Sequence, residues 1–343
     1  MPTSEPSIPV LLTSEPQNPA LPTGRRSPGG RRMQASTRTG LIALLGTAAL
    51  VLSGCGLGED TSGEPEPASD YTVDAEASVA ESPIWSAADE QSMLRIAVPF
   101  DHAGIGYLET NQSVPTGFAV EIGSLVAGRL GFAAHQITWV DAGDDPAAVL
   151  DGDEPAADLL IDTPDQPIPD IGPAAEPDSD DTDADEPQET PADLAGPYHL
   201  GGQALLSAAS HSLDTVAELS DETVCAVPDS PGRTVLEEQT DAEVVERDAL
   251  AECVTALAAG EVDAVIGADL DLHALAAQDQ QALTVTADRF DPAGYWIRMR
   301  EEDPALAEAI AGGIAAAAED GEWDIAVESA FGREIELSPP PAD

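Results

Sequence analysis

From residue 94 onward, short apolar runs alternate with helical patterns, and that alternation limits the possible folds more than any other feature of this chain. LRIAVPF (94–100) reads as a buried strand. After Thr116-Gly117, the residues Phe118, Ile122, Leu125, Val126 and Leu130 recur at helical spacing and stop at Gly131, which predicts a helix. ITWV (137–140) and ADLLI (157–161) are two more strands. The rhythm resumes with TVCAV (223–227), a helix over about 233–240, and AEVVE (242–246). Asp248 can N-cap a helix with Leu250, Cys253, Val254 and Leu257 on one face, stopped by Gly260. VDAVIGA (262–268), a helix over about 270–278, ALTVT (282–286) and GYWIRM (294–299) follow. Leu306, Ile310 and Ile314 line one helix up to Gly321, and a last helix runs from about Glu322 to Phe331. Strands separated by helices imply a parallel sheet with right-handed crossovers, so the class is α/β. There are two βα units, and the chain returns to the first at its end.

Charge removes several functions. The chain has 343 residues with 65 Asp+Glu against 13 Lys+Arg, a net charge of −52, and all the basic residues are Arg. Nucleic-acid binding is excluded because neutralising phosphates needs clustered cations, and so is resting on an anionic membrane through basic residues. With no Lys there is neither a Schiff base nor a P-loop lysine. Aromatic residues make up only 4 % of the chain, so its cores must be built largely from Ala, Val, Leu and Ile.

The first 54 residues read as an export signal. Arg25, Arg26, Arg31, Arg32 and Arg38 precede the apolar run LIALLGTAALVL (41–52). That run is too short to span about 30 Å of hydrocarbon, and its layout is that of a signal peptide. Met33 is a candidate true start. Leu52-Ser53-Gly54-Cys55 resembles a bacterial lipobox, which implies cleavage before Cys55 and a lipid on its sulfur. The mature chain would then carry a net charge of −55 and be held at the extracytoplasmic face of the cell membrane by its acyl chains alone. Residues 55–90 are acidic and poor in apolar residues and read as a disordered tether, with order beginning near Leu94. Residues 141–193 hold 19 acidic residues and no basic one, and the Pro-rich part, about 164–193, reads as an acidic disordered insertion in a surface loop.

LRIAVPFDHAGIGY…PTGFAVEIGSLVAGRLGF, AGPYHLGGQALL (195–206), TVCAV, ECVTALAAGEVDAVIGADLDL (252–272) and EDGEWDIAVESAFG (319–332) together resemble extracytoplasmic solute-binding proteins of family 3, the polar amino acid and glutamate-binding type. The resemblance covers about 94–335. It implies a type II, two-lobed periplasmic-binding-protein-like fold in which each lobe is a mostly parallel sheet flanked by helices and two crossover strands form the hinge. Lobe 1 would comprise 91–200 and 293–336, and lobe 2 would comprise 201–292. It also implies a small-molecule solute held between the lobes, an ABC transporter permease as partner, a monomer and no cofactor. The default solute is glutamate or another polar amino acid. The family pattern pairs Cys225 with Cys253 as a structural disulfide, which would close a loop of about 28 residues worth roughly 3–4 kcal/mol.

The expected ligand-binding residues are Phe100, Asp101, Tyr107, Asp162, Thr163, Ser230, Arg233, Thr234 and Asp269. Relatives grip the solute's α-carboxylate with an Arg after the third strand, where this chain has Asp162-Thr163-Pro164-Asp165; no Arg lies between Arg129 and Arg233. Relatives bind the α-amino group with an Asp whose register here gives Ala268, with Asp269 one residue later. Three readings follow. Arg233 replaces the lost Arg, since a guanidinium suits a carboxylate. Alternatively, an acid-lined cleft takes a cationic solute such as a polyamine or basic amino acid. A third possibility is a degenerate lobe pair that serves as a cell-surface sensor or adaptor. His102, His135, His199, His211 and His273 lack zinc-like spacing and read as surface or loop residues, so no metal is expected. Neither G-x-S-x-G nor HExxH occurs, and acids are too numerous for a paired-carboxylate argument, so the chain does not read as an enzyme.

Overall fold

The computed structural model describes residues 71–152, 154–161, 193–278 and 282–332, with 335, 337, 339 and 340 beyond. The signal peptide, Cys55, the tether up to residue 70, Asp162, Thr163 and nearly all of the acidic insertion lie outside the described residues.

In chain order the elements are α1 (Pro83–Gln91), β1 (Leu94–Val98), β2 (Asp101–His102), β3 (Gly106–Tyr107), α2 (Phe118–Arg129), β4 (Ile137–Asp141), β5 (Leu159–Ile161) and β6 (Leu194–Ala208). Next come β7 (Thr223–Ala226), α3 (Pro231–Gln239), β8 (Glu243–Glu246), α4 (Leu250–Ala259), β9 (Ala264–Ala268) and α5 (Asp269–Gln278). The chain ends with β10 (Leu283–Val285), β11 (Phe290–Met299), α6 (Pro304–Asp320) and α7 (Glu322–Phe331). Among the described residues nine of these strands form one sheet in the order β4-β1-β5-β11-β6-β9-β7-β8, with β10 also on β6, and β2 and β3 pair by themselves. Strands β4, β1 and β5 are parallel, as are β9, β7 and β8. Between these two parallel sets lie β6 and β11, antiparallel to each other. β11 joins β5 through 297–299, and β6 joins β9 through 203–207.

The core divides at those two strands. A first lobe is built on a cluster that includes Ile96, Phe118, Ile122, Leu125, Tyr198, Ile310, Trp323 and Phe331. In the second lobe, the strands alternate their side chains between two clusters. Ala204, Leu206, Cys225 and Val265 face α4, while Leu205, Val224, Ala226 and Ile266 face α3, the two-residue period of strands sandwiched between helices. Helix α5 belongs to both lobes: Leu270 and Ala274 enter the first core and Leu272 enters the second.

The expected tether is corrected at its C-terminal end. Ser82 N-caps α1 by accepting from the Trp85 N–H at 2.8 Å, and Pro83 fits the first helical turn. Ile84 and Ala88, four residues apart, are buried against the first lobe, and Trp85 packs edge-on against Phe132. Further out, the Tyr71 hydroxyl donates to Glu121 at 2.7 Å and the Thr72 hydroxyl to Glu322 at 2.6 Å. The spacing of Ile84 and Ala88 places both on one face, and that suffices to dock the helix.

Candidate functional site

A cavity of about 710 Å³ opens beyond the carboxyl ends of β1, β7, β8 and β9. That is where open α/β sheets hold ligands. Its wall comes from β2 and the residue after it (Asp101, His102, Ala103), the turn before α3 (Val227 to Pro231), the turn before α4 (Asp248 to Ala251) and one face of α5 (Asp271, Leu275, Gln278). The crossing strands supply the floor, with Gly202, Gln203, Ala293 and Tyr295. Both lobes therefore contribute to one concavity, of a size suited to a small metabolite.

Its electrostatics are decided by counting charges. Among the described residues, Asp101, Asp229, Asp248 and Asp271 line it, and neither Arg nor Lys does. The turns that open α3, α4 and α5 bring three helix N-termini to the wall, each equivalent to roughly half a positive charge. Four full negative charges outweigh these, and His102 pairs with Asp271 at 3.3 Å. The charges that line the cavity therefore sum to negative.

The sequence-derived site residues divide into three groups. Asp101 and Ser230 line the cavity, and Ser230 N-caps α3 by accepting from the Arg233 N–H at 3.2 Å. Phe100, Tyr107, Arg233, Thr234 and Asp269 are not among the lining residues, while Asp162 and Thr163 lie outside the described residues. Phe100 packs against the first core, and Tyr107 is exposed with its backbone paired to Thr116. The Arg233 guanidinium, the expected carboxylate anchor, meets Glu246 at 3.0 Å and Glu237 at 2.9 Å one helical turn along. Both of these partners are exposed. Asp248 does not cap α4: the cap position is Ala249, with no side-chain bond, and Asp248 stands in the cavity wall instead.

Asp269 sits beneath the floor, fully buried. Its carboxylate accepts from His199 Nε2 at 2.8 Å, Arg289 Nε at 2.8 Å, the Tyr295 hydroxyl at 3.0 Å and the Gly202 N–H at 3.5 Å. Burial pushes its pKa upward, but the His199 and Arg289 groups overcome that and hold the carboxyl well below the usual range. The Tyr295 hydroxyl is pushed well above its ordinary value by burial and by the Asp269 charge. A Cβ at Gly201 would collide with Asp269 and His199, so this approach requires glycine. His199 and His273 are buried, correcting the expectation that they lie on the surface or in loops. His102 lies on the short strand β2, in the cavity wall. Cys225 and Cys253 form the disulfide, closing strand β7 on helix α4 inside the second core. Arg289 and Tyr295 were missed because their tie to Asp269 spans 20 and 26 residues and has no local motif.

No known family profile and no curated protein matches the chain. Solved structures do match its fold. An ancestral cationic amino acid solute-binding protein superposes with a TM-score of 0.54 at 18 % identity, over 72 % of this chain and 99 % of that one. The L-cystine solute receptor of Neisseria gonorrhoeae, in its unliganded open conformation, gives 0.54 at 17 % identity, over 73 % and 99 %. The chain has the two-lobed, type II periplasmic-binding-protein-like fold, with a mixed sheet flanked by helices and β6 and β11 as the strands that cross between lobes.

Proposed function

We propose that this chain is a lipid-anchored, extracytoplasmic solute-binding protein of an ABC uptake system, and that its solute is a small cation: a basic amino acid or a polyamine. The observation that carries the choice of solute is the cavity wall, with four Asp and no Arg or Lys among the described residues. Glutamate, the default from the family resemblance, would bring two carboxylates to that wall and find no guanidinium to receive either. Location rests on the signal-peptide layout ahead of Cys55. A related fold in an ancestral cationic amino acid solute-binding protein accords with the reading. The permease would recognise the form in which both lobes contact the solute.

Titration calorimetry and thermal shift on the full chain test this with L-arginine, spermidine and L-glutamate. At least one of the two cations is expected to bind and raise the melting temperature, and glutamate to do neither. Asp248→Asn and Asp271→Asn are each expected to weaken cation binding by about tenfold or more, the scale of one lost charged hydrogen bond. Arg233→Ala leaves affinity unchanged. Binding of glutamate with no response to either cation would overturn the choice of solute.

A further inference from the structure

The buried carboxylate of Asp269 is not among the residues that line the cavity, yet four groups near the hinge donate to it. Four donors converge on it from two strands: His199 and Gly202 belong to β6, Tyr295 to β11, and Arg289 immediately precedes β11. These are the two strands that pass between lobes. Asp269 itself begins α5, the helix whose Leu270 and Ala274 enter the first core while Leu272 enters the second. One carboxylate thus joins both crossing strands to the helix the lobes share.

The strand next to it is irregular at the same place. The β11–β6 ladder shifts register between Phe290 and Pro292 and again between Tyr295 and Ile297, and Asp291 has a φ of 48° in the left-handed region. These irregularities follow Arg289 and bracket Tyr295. Bulges mark where a ladder can bend, so the donors of Asp269 sit where a change in the angle between lobes must be absorbed. Arg289 is the most exposed of the three side-chain donors, at 15 %. Its guanidinium also donates to the carbonyls of Thr286 and Ala287, so it ties the turn before β11 to the helix.

We propose that Asp269, His199, Arg289 and Tyr295 form a hinge catch that sets the resting angle between the lobes, with Arg289 as its releasable member. These are positioning residues: Tyr295 also lines the cavity floor, but as a catch the four act on the cleft through the crossing strands. The catch requires the two-lobed fold but not the proposed cation, so it stands or falls without any ligand.

The test is pulsed electron-spin distance measurement on the full, unliganded chain. Spin labels are placed through unnatural amino acids at the exposed positions Glu109 in the first lobe and Glu238 in the second. Arg289→Gln is expected to displace the inter-lobe distance distribution or broaden it beyond the wild-type width. Tyr295→Phe, which removes a single donor and keeps the ring, gives a smaller change in the same direction. Arg95→Gln, which breaks a comparable bidentate pair with Asp158 at 2.7 and 3.1 Å, lowers stability and leaves the distribution in place. A folded Arg289→Gln with the wild-type distribution overturns the proposal, as does an Arg95→Gln that moves it equally. Should Arg289→Gln not fold, an unchanged distribution in Tyr295→Phe overturns it alone.

Discussion

The two lobes share an architecture but are held together by different means. Of the 13 aromatic residues, ten belong to or pack against the first core, including Phe118, Tyr198, Trp323 and Phe331. The two second-lobe clusters contain no buried aromatic, with only half-buried Phe290 against them. Large rings bury much apolar area each and add geometric preferences of their own. In the first core, Phe118 packs edge-on against Trp323 at 6.1 Å and Phe331 lies 5.3 Å from Phe118. The second lobe must make do with Ala, Val, Leu and Ile, and there the Cys225–Cys253 bond joins strand to helix. A cross-link acts chiefly on the unfolded chain, so it can stabilise a lobe whose packing alone is thin.

That contrast predicts where damage will spread. Trp323→Ala is expected to have the largest effect. Trp323 is fully buried, and its Nε1–H donates to the Tyr198 carbonyl at 2.9 Å. The loss is about 3–5 kcal/mol and orphans that carbonyl. In urea denaturation with hydrogen exchange, both lobes should lose protection, because α5 carries first-core residues into the second lobe. Removing the disulfide, with Cys225→Ala and Cys253→Ala together, ranks next at roughly 3–4 kcal/mol for its loop. Its lost protection should concentrate in 223–268 and spare β1 and β5. Uniform loss in the double variant would mean that the lobes are one cooperative unit and that the contrast has no energetic content.

Much of this fold was legible because its helix ends carry strong local signals. Gly260 and Gly321 adopt φ of 70° and 80° at the C-caps, and Pro231 and Pro304 open helices in their first turn. The cysteine pair followed from the resemblance. The site was far less legible, because its chemistry depends on contacts across many residues. Arg233 stands at the start of the expected helix, yet Glu246, thirteen residues on, occupies its guanidinium. Asp248 missed the cap by one position and so became part of the cavity wall. β6 gave little sign of depth: LAGPYHLGGQALLSA mixes small and polar residues, and its His199 is buried because a crossing strand is covered on both faces. Composition averaged over 55–90 likewise concealed α1.

Between the lobes lies the residue that gives the smallest of these effects, and its dependence on pH separates it from the others. His273, one turn along α5 from Asp269, is buried against the Phe331 ring, and its Nε2 has no hydrogen-bond partner among the described residues. Burial pushes its pKa down to about 4; the Arg289 and His199 charges add to this, and the Asp269 carboxylate opposes it. In the unfolded chain the ring takes its proton near pH 6.5. Between those values the unfolded state binds more protons than the folded one, so stability declines as pH falls from about 6.5 to 4. Above 6.5 the neutral ring imposes no penalty. Over the whole window the loss amounts to about 3 kcal/mol, at 1.36 kcal/mol per pH unit. His273→Leu should flatten this part of the profile while leaving the response of the many surface carboxylates intact. Urea midpoints taken at half-unit steps from pH 7 to 4 measure it as the difference between wild type and variant. Parallel curves would show that the His273 ring takes its proton at the same pH folded and unfolded, so that burial does not hold it neutral on the shared helix.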